Sequence, residues 1–274
     1  MALERERWDA PDGDFVDVDF AGAAGARRLL LFHGLEGSSD SHYARAIAAH
    51  AAQKGWRIAI PHWRGCSGEP NRKPRAYHSG DTAEVDWLVR RFAPEAAIGI
   101  SLGGNALLKW LGEQGEQAPI RRAAAVSAPI DLPAAGRALD RGLNRLLYTR
   151  HFLSTLKPKS LAKLERFPGI YDAAAVRAAR TFRVFDNLVT APLHGFRDVD
   201  HYWSSAASGP WLERIRVPTL LLNARNDPFL PEQELLAAAQ KAAPCVLLEF
   251  PRNGGHVGFP HPWLAQHLLE FLDK

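Results

Sequence analysis

The chain has 274 residues, a length that allows one large domain or a core with an inserted segment. Its 46% hydrophobic and 23% charged residues are close to globular averages, which disfavours disordered, collagen-like and disulfide-dense proteins. The formal net charge of +4 is small for this length, and Lys and Arg are spread along the chain. We therefore expect no nucleic acid partner.

The N-terminus and the cysteines indicate the compartment. The N-terminal MALERERWDAPDGD is charged and has no apolar signal segment, and no stretch approaches the ~18 apolar residues needed to span a bilayer. Cys66 and Cys245 are too few for a disulfide framework and lack metal-ligand spacing, which fits a reducing compartment. We expect a cytoplasmic protein with no integral membrane association.

Short apolar runs alternate with longer amphipathic segments along the chain, which indicates parallel strands covered by helices on both faces. The fold class is therefore α/β. The predicted strands, in chain order, are 15–20, 28–32, 56–60, 96–100, 123–126, 219–222 and 246–250. The predicted helices are 43–54, 82–92, 105–113, 231–242 and 263–272.

Residues 129–208 interrupt this rhythm with helical periodicity and no convincing strand. We interpret them as a helical cap inserted into one catalytic domain, whose core consists of residues 1–128 and 209–274. A lipase that works on lipid surfaces would carry an exposed apolar lid or anchor, whereas we expect the aromatic residues here to pack inside the cap. These residues are Phe152, Phe167, Tyr171, Phe182, Phe185 and Phe196.

The segment Gly99-Ile100-Ser101-Leu102-Gly103 lies directly after a predicted strand and before a predicted helix. A nucleophilic serine requires such a tight turn, because the glycines two residues away on each side remove side chains that would collide. The helix N-terminus also favours negative charge that develops beside the serine. A serine in an ordinary glycine turn is the alternative, but the strand-turn-helix context favours Ser101 as a nucleophile.

A serine hydroxyl needs a base, and the base needs a carboxylate that fixes its tautomer. Asp227 follows the predicted strand 219–222 and is the candidate orienting acid, with a helix cap near Pro231 as its alternative role. His256 follows the last strand in the glycine-rich loop NGGHVGF and is the candidate base. Glu249 is a much weaker candidate for the acid because it lies within that strand. His261 and His267 belong to the final helix region and are interpreted as structural or surface residues.

Attack on a carbonyl creates an oxyanion, which needs two backbone N–H donors. Leu102 offers one donor because it follows the nucleophile. The loop His33-Gly34-Leu35-Glu36-Gly37 follows an earlier strand at the place expected for the second donor, which we assign to Leu35. His33 then has no task as a second base and is expected to support this loop together with Gly34.

Eight segments resemble the YheT-like branch of the α/β-hydrolases. In chain order they are PDGDFVDVDF, HGLEGSSDSHY, RGCSGEPN, YHSGDTAEVDWL, GISLGGNALLKWLGE, FDNLVTAPLHGF, NARNDPF and NGGHVGF. The resemblance implies the α/β-hydrolase fold, a mostly parallel central sheet flanked by helices. It also implies a serine hydrolase of carboxylic esters, with Ser101, Asp227 and His256 at the family's charge-relay positions.

The expected function is hydrolysis of esters with small or medium acyl chains through an acyl-enzyme. A thioesterase or acyltransferase would use the same residues, and a binding protein on a hydrolase scaffold is a further alternative. The scattered His and Asp residues do not reach metal-ligand spacing, so we expect no cofactor and no metal. The expected partner is a small-molecule ester, and the oligomeric state stays open.

Overall fold

The computed structural model describes residues 3–274, so residues 1 and 2 of the first predicted core segment lie outside the described residues. In this range eight strands form one sheet in the order β1-β2-β4-β3-β5-β6-β7-β8. The strands are β1 Glu4–Asp9, β2 Phe15–Ala21, β3 Arg27–Phe32, β4 Trp56–Pro61, β5 Ala96–Ile100, β6 Arg122–Val126, β7 Thr219–Leu222 and β8 Val246–Glu249.

The strand register brings the ends of four strands to one level. Strands β4, β3, β5, β6, β7 and β8 run parallel to one another, whereas β2 is antiparallel to both β1 and β4. Ile100 pairs with Val126, Val126 with Leu222, and Leu222 with Glu249. The loops after β5, β6, β7 and β8 therefore begin side by side at the carboxyl edge of the sheet, where sites in such folds collect.

Helices surround the sheet and fill the connection between β6 and β7. They are α1 His42–Gln53, α2 Thr82–Phe92, α3 Leu102–Gln114, α4 Leu132–Leu139, α5 Gly142–Asn144, α6 Arg150–Arg166, α7 Ala173–Ala178, α8 Phe182–Phe185, α9 Ala191–Leu193, α10 Val199–Ala206, α11 Glu232–Ala239 and α12 His261–Leu272. π-helical turns at Arg145–Thr149 and Asp186–Thr190 join α5 to α6 and α8 to α9, and short 3-10 turns lie at Gly115–Gln117 and Gly209–Arg214.

Each face of the sheet has its own apolar core. On one face the sheet packs against buried side chains of α2, α3 and α11, among them Leu88, Trp110 and Leu235. On the other face α1 and α12 contribute Ile47 and Leu268. Because the central strands are covered on both faces, they consist of nearly continuous apolar residues. This arrangement confirms the predicted mostly parallel α/β fold.

Two elements differ from the sequence prediction. Strand β1 was not predicted because ERERWD is almost fully exposed and strongly charged; it forms an edge strand whose Arg5 and Arg7 pair with Asp19 and Asp17 of β2. Helix α3 begins at Leu102, three residues before the predicted start, because Gly103 and Gly104 are accommodated inside the helix. Of the other predicted elements, β5, β7 and α2 have the predicted bounds, and the rest shift by one to three residues at their ends.

The described residues between β6 and β7 form helices and no strand. The six aromatic residues expected to pack inside this segment are all buried or half-buried. However, Leu143, Leu146 and Leu147 of the same segment are 73%, 56% and 61% exposed, a feature that the aromatic pattern did not predict.

Candidate active site

Ser101 occupies a strained turn between β5 and α3. Its φ of 52° lies in the left-handed region, which is uncommon for a residue with a side chain. A Cβ on Gly99 would lie 2.5 Å from the carbonyl oxygen of Gly103, and a Cβ on Gly103 would collide with the carbonyl oxygen of Phe32. Only glycine at both positions allows strand, turn and helix to pack this closely.

Ser101, His256 and Asp227 form a continuous line of hydrogen bonds. His256 Nε2 lies 2.8 Å from Ser101 Oγ, and His256 Nδ1 lies 2.9 Å from Asp227 Oδ2. Because an ionised carboxylate can only accept, Nδ1 carries the proton and Nε2 is free to accept the serine hydroxyl. The structure thus brings together three predicted residues that are distant in sequence.

Neighbouring groups hold the acid and the base in place. The backbone N–H of Phe229 donates to Asp227 Oδ1 at 2.8 Å, and the Phe229 ring stacks on the His256 ring with centroids 3.7 Å apart. Asn226 Oδ1 accepts a hydrogen bond from the N–H of Gly255 in the histidine loop. Asp227 is buried and does not cap α11, whose preceding residue is Pro231.

Glu249, the alternative acid, and the histidines His261 and His267 lie apart from this line of hydrogen bonds. Glu249 Oε2 lies 2.7 Å from His267 Nε2, and the His267 ring stacks on Trp263. His261 packs beside His42. Glu249 is therefore engaged away from His256, and none of these three residues joins the hydrogen-bonded line through Ser101.

Leu35 and Leu102 both line the cavity that contains Ser101. Leu102 is the first residue of α3, so its N–H has no partner within the helix. Neither the Leu102 N–H nor the Leu35 N–H donates to any other described residue. Gly34 keeps the loop close to the serine, since a Cβ there would lie 3.2 Å from Ser101 Cβ.

His33 supports this loop as a neutral, buried residue. The backbone N–H of Trp63 donates to His33 Nε2 at 3.1 Å, so the ring proton must be on Nδ1, which donates to the carbonyl oxygen of Gly34 at 2.8 Å. Complete burial lowers the pKa of His33 to about 3. The ring therefore stays uncharged and links the loops after β3 and β4.

Two polar residues that connect the loops at this edge were not predicted from the sequence. Ser127, directly after β6, has a φ of 50°, and its Oγ accepts the N–H of Val257 beside His256 at 3.0 Å. Asn223, directly after β7, exchanges two hydrogen bonds with the backbone of Ala128. Their position after the last apolar residue of a strand was the signal that could have found them.

A cavity of about 770 Å³ extends from Ser101 beneath the helices between β6 and β7. Its apolar wall comes mainly from those helices and from Phe229. Polar residues of the loop 64–79 and of the second half of α6 line another part of it. The apolar lining residues include Leu132, Ala135, Leu139, Phe152, Leu156, Phe182, Phe185, Val189, Leu193 and Trp203.

Residues 3–274 contain neither a metal-binding cluster nor a membrane-spanning helix. In that range, no group of three or more His, Cys, Asp or Glu side chains is arranged to bind a metal ion. Nor is any helix in this part of the chain both long and apolar enough to cross a bilayer. Cys66 and Cys245 are both free, and burial raises the pKa of the Cys66 thiol to about 12.

Comparison with known proteins identifies the family. A family model described as alpha/beta hydrolase fold matches residues 27–261. The chain belongs to the α/β-hydrolase family. The resemblance to its YheT-like branch is confirmed, because the chain is 39% identical to YheT of Escherichia coli (strain K12), over 97% of this chain and 84% of that protein. The family assigns the chain to the hydrolases.

Two other relatives are longer than this chain. A phospholipase of Mus musculus, ABHD3, is 31% identical over 84% of this chain, and a monoacylglycerol lipase of Saccharomyces cerevisiae is 31% identical over 89%. In each comparison the match spans 58% of the relative's length. This α/β-hydrolase therefore corresponds to somewhat more than half of either protein.

Solved structures support the fold. An esterase of Pyrococcus furiosus superposes with a TM-score of 0.64 at 17% identity, covering 99% of this chain and 91% of that one. An esterase of Exiguobacterium antarcticum gives a TM-score of 0.66 at 15% identity, covering 98% and 99%. At such identities the likeness concerns the fold alone.

Proposed function

We propose that this α/β-hydrolase cleaves carboxylic esters through an acyl-enzyme on Ser101. The observation that carries the proposal is the hydrogen-bonded line from Ser101 Oγ through His256 to Asp227, with distances of 2.8 and 2.9 Å. The names of the mouse and yeast relatives, a phospholipase and a monoacylglycerol lipase, are in keeping with ester chemistry.

In the acylation step, Ser101 Oγ attacks the acyl carbon while its proton passes to His256 Nε2. Asp227 stabilises the resulting imidazolium and holds the ring in the required tautomer. The bond between the acyl carbon and the alcohol oxygen then breaks, and His256 gives its proton to the leaving oxygen. The products of this half-reaction are a free alcohol and an ester of Ser101.

Deacylation repeats the sequence with water as the nucleophile. His256 takes a proton from water, the hydroxide attacks the acyl carbon, and the bond to Ser101 Oγ breaks as the proton returns to that oxygen. In both steps the N–H groups of Leu35 and Leu102 donate to the oxyanion. Loss of one such donor costs about 3 kcal/mol of transition-state stabilisation in comparable sites.

The cavity indicates the substrate class. Residues 129–208 act as a cap that covers Ser101, and their apolar side chains form the acyl-binding wall. A volume of about 770 Å³ falls within the range of pockets for drug-sized ligands, so it accommodates a medium acyl chain together with the alcohol part. The proposed substrates are therefore esters of small or medium acyl chains.

A panel of nitrophenyl esters of increasing chain length tests this proposal. We expect saturable hydrolysis with a maximum at a small or medium chain, and loss of activity in Ser101→Ala. Thioesters of the same acyl groups, and ester cleavage in the presence of an added alcohol, distinguish a thioesterase or an acyltransferase. No hydrolysis of any ester or thioester by a folded wild-type chain would favour a binding protein instead.

A further inference from the structure

The helical segment Gly142–Arg166 exposes four large apolar side chains near its start. Leu143, Leu146, Leu147 and Tyr148 are 73%, 56%, 61% and 36% exposed. The first three have the i, i+3, i+4 spacing that places side chains on one side of a helix. Scattered exposed leucines are common, but several on one side of a helix are typical of an interaction surface. We call Leu143, Leu146 and Leu147 the apolar cap face.

The sequence around this face is strongly basic. From residue 141 to residue 163 the chain has six Lys or Arg residues and no Asp or Glu, although the whole chain has 34 basic and 30 acidic residues. Arg141, Arg145 and Arg150 are exposed, and none of them forms an ion pair with an acid in the described part of the chain. Exposed leucines interleaved with unpaired arginines are typical of helices that lie in a membrane interface.

The apolar cap face lies just outside the wall of the candidate active site. Further along the same helical segment, Phe152 and Leu156 line the cavity over Ser101. The Tyr148 ring packs edge-on against Phe229 at 4.8 Å, and Phe229 stacks on His256. A partner that covers these leucines would therefore lie beside the cavity over Ser101, where the reaction is proposed to occur.

We infer that the apolar cap face docks onto a lipid surface that contains anionic headgroups. The leucines enter the boundary between headgroups and acyl chains, and the three arginines contact phosphate groups. A second copy of this chain would bring an equally basic surface to the contact and be repelled. A nucleic acid would pair with the arginines but leave the leucines in water. The inference goes beyond ester hydrolysis, because docking requires no reaction at Ser101.

Co-sedimentation with vesicles tests the inference. The Ser101→Ala chain, which has no reaction to complicate the measurement, is mixed with vesicles of phosphatidylcholine alone or of phosphatidylcholine with phosphatidylglycerol. We expect binding that requires phosphatidylglycerol and weakens with added salt. Replacing Arg141, Arg145 and Arg150 together by Gln should lower the partition coefficient about 100-fold, since each cation near such a surface contributes about 1 kcal/mol.

Replacing Leu143, Leu146 and Leu147 together by Ser should lower binding by at least tenfold, because their apolar area no longer enters the interface. The matched controls are Leu236→Ser and Arg121→Gln, which replace exposed residues elsewhere and should bind like the parent. In the chain with Ser101 intact, hydrolysis of a short, soluble nitrophenyl ester should be unchanged by either triple substitution, which shows that the fold is kept.

Three results would overturn the inference without touching the proposed esterase activity. The first is no vesicle binding by the parent chain, and the second is equal binding by the parent and both triple variants. The third is a dimer in sedimentation velocity that becomes monomeric when the three leucines are replaced, which would assign the apolar cap face to a second copy of the chain.

Discussion

Lys159 of α6 lies with its Nζ 2.8 Å from Oε2 of Glu36, the residue after the proposed oxyanion donor Leu35. Glu36 has a φ of 55°, and its Oε1 accepts a hydrogen bond from the Tyr77 hydroxyl at 2.9 Å. The Tyr77 oxygen in turn accepts the backbone N–H of Glu36. The loop after β3 is therefore held in a strained conformation partly by α6, which belongs to the proposed cap.

Removal of the Glu36 side chain should disturb the oxyanion site. We expect Glu36→Ala to lower kcat about tenfold with a smaller change in KM, because the loop then relaxes from the geometry that stabilises the transition state. Lys159→Met should have a smaller effect, below about fivefold, since partly exposed ion pairs contribute at most ~1 kcal/mol.

Lys157→Met is the matched control, because Lys157 lies on the same helix but donates to the carbonyl oxygen of Ala179, also within residues 129–208. Steady-state kinetics on a nitrophenyl ester, with the free energy of unfolding measured beside them, separates a positioning role from general destabilisation. An unaltered kcat in a stable Glu36→Ala chain would contradict the proposed link between the cap and Leu35.

Loss of the negative charge on Asp227, which follows β7, should affect activity differently from loss of the charge on Glu249, which ends β8. Asp227→Asn is expected to lower kcat by ~10³–10⁴-fold, because the amide favours the wrong tautomer of His256. Glu249→Gln should keep activity near the wild-type value, since Glu249 pairs with His267 instead. Ester hydrolysis by the two purified variants checks this. Equal losses in both would rule out Asp227 as the specific orienting acid.

Buried His33 should make the fold sensitive to acid. Burial lowers the pKa of His33 to about 3 in the native state, whereas an unfolded histidine titrates near 6.5. As the pH falls below about 6.5, His33 binds a proton in the unfolded chain but not in the native state. The stability that is present at neutral pH is therefore lost. From pH 7 to pH 5 this one residue should cost about 2 kcal/mol.

Denaturant unfolding of the wild type and of His33→Gln at several pH values measures this contribution. The variant should be less stable at pH 7, but the difference should shrink as the pH falls. Burial raises the pKa of Asp186 to about 6, so its contribution to stability changes in the opposite direction over this pH range. Asp186 is present in both chains, and its contribution therefore cancels in the comparison. Parallel stability curves for the two chains would show that His33 is not held neutral.

Metal removal should leave the activity unchanged. The proposed mechanism uses only Ser101, His256, Asp227 and two backbone N–H groups, and each proton transfer is completed by His256. Prolonged dialysis against excess EDTA, followed by an ester assay in metal-free buffer, is the measurement. A loss of activity that added Zn²⁺ or Mg²⁺ restores would contradict a metal-independent mechanism.

Much of the fold could be predicted from the sequence because its signals are local. The apolar runs of β5 and β7 and the amphipathic pattern of α2 gave their observed bounds. Strand β1 was missed because five of its six residues are charged and exposed, so it has no apolar run, and only Trp8 enters the core. Its ion pairs with Asp17 and Asp19 of β2 become apparent only once the two strands are paired.

The residues of the candidate site also divide into those with a local signal in the sequence and those without one. Ser101, Asp227 and His256 could be proposed because each follows a predicted strand in a recognisable turn. Ser127 and Asn223 were missed because their importance depends on which loops lie beside them, which only the strand register determines. The exposed leucines of α5 and the following turn were missed because the 3.6-residue pattern does not reveal which side of a helix is left without a partner.

Covalent labelling with a fluorophosphonate shows whether Ser101 is an activated nucleophile. We predict that the wild-type chain is modified once, that peptide mass spectrometry locates the label on Ser101, and that His256→Gln reacts far more slowly because the hydroxyl has lost its base. A folded wild-type chain that stays unlabelled, or a label on another residue that persists in Ser101→Ala, would contradict it.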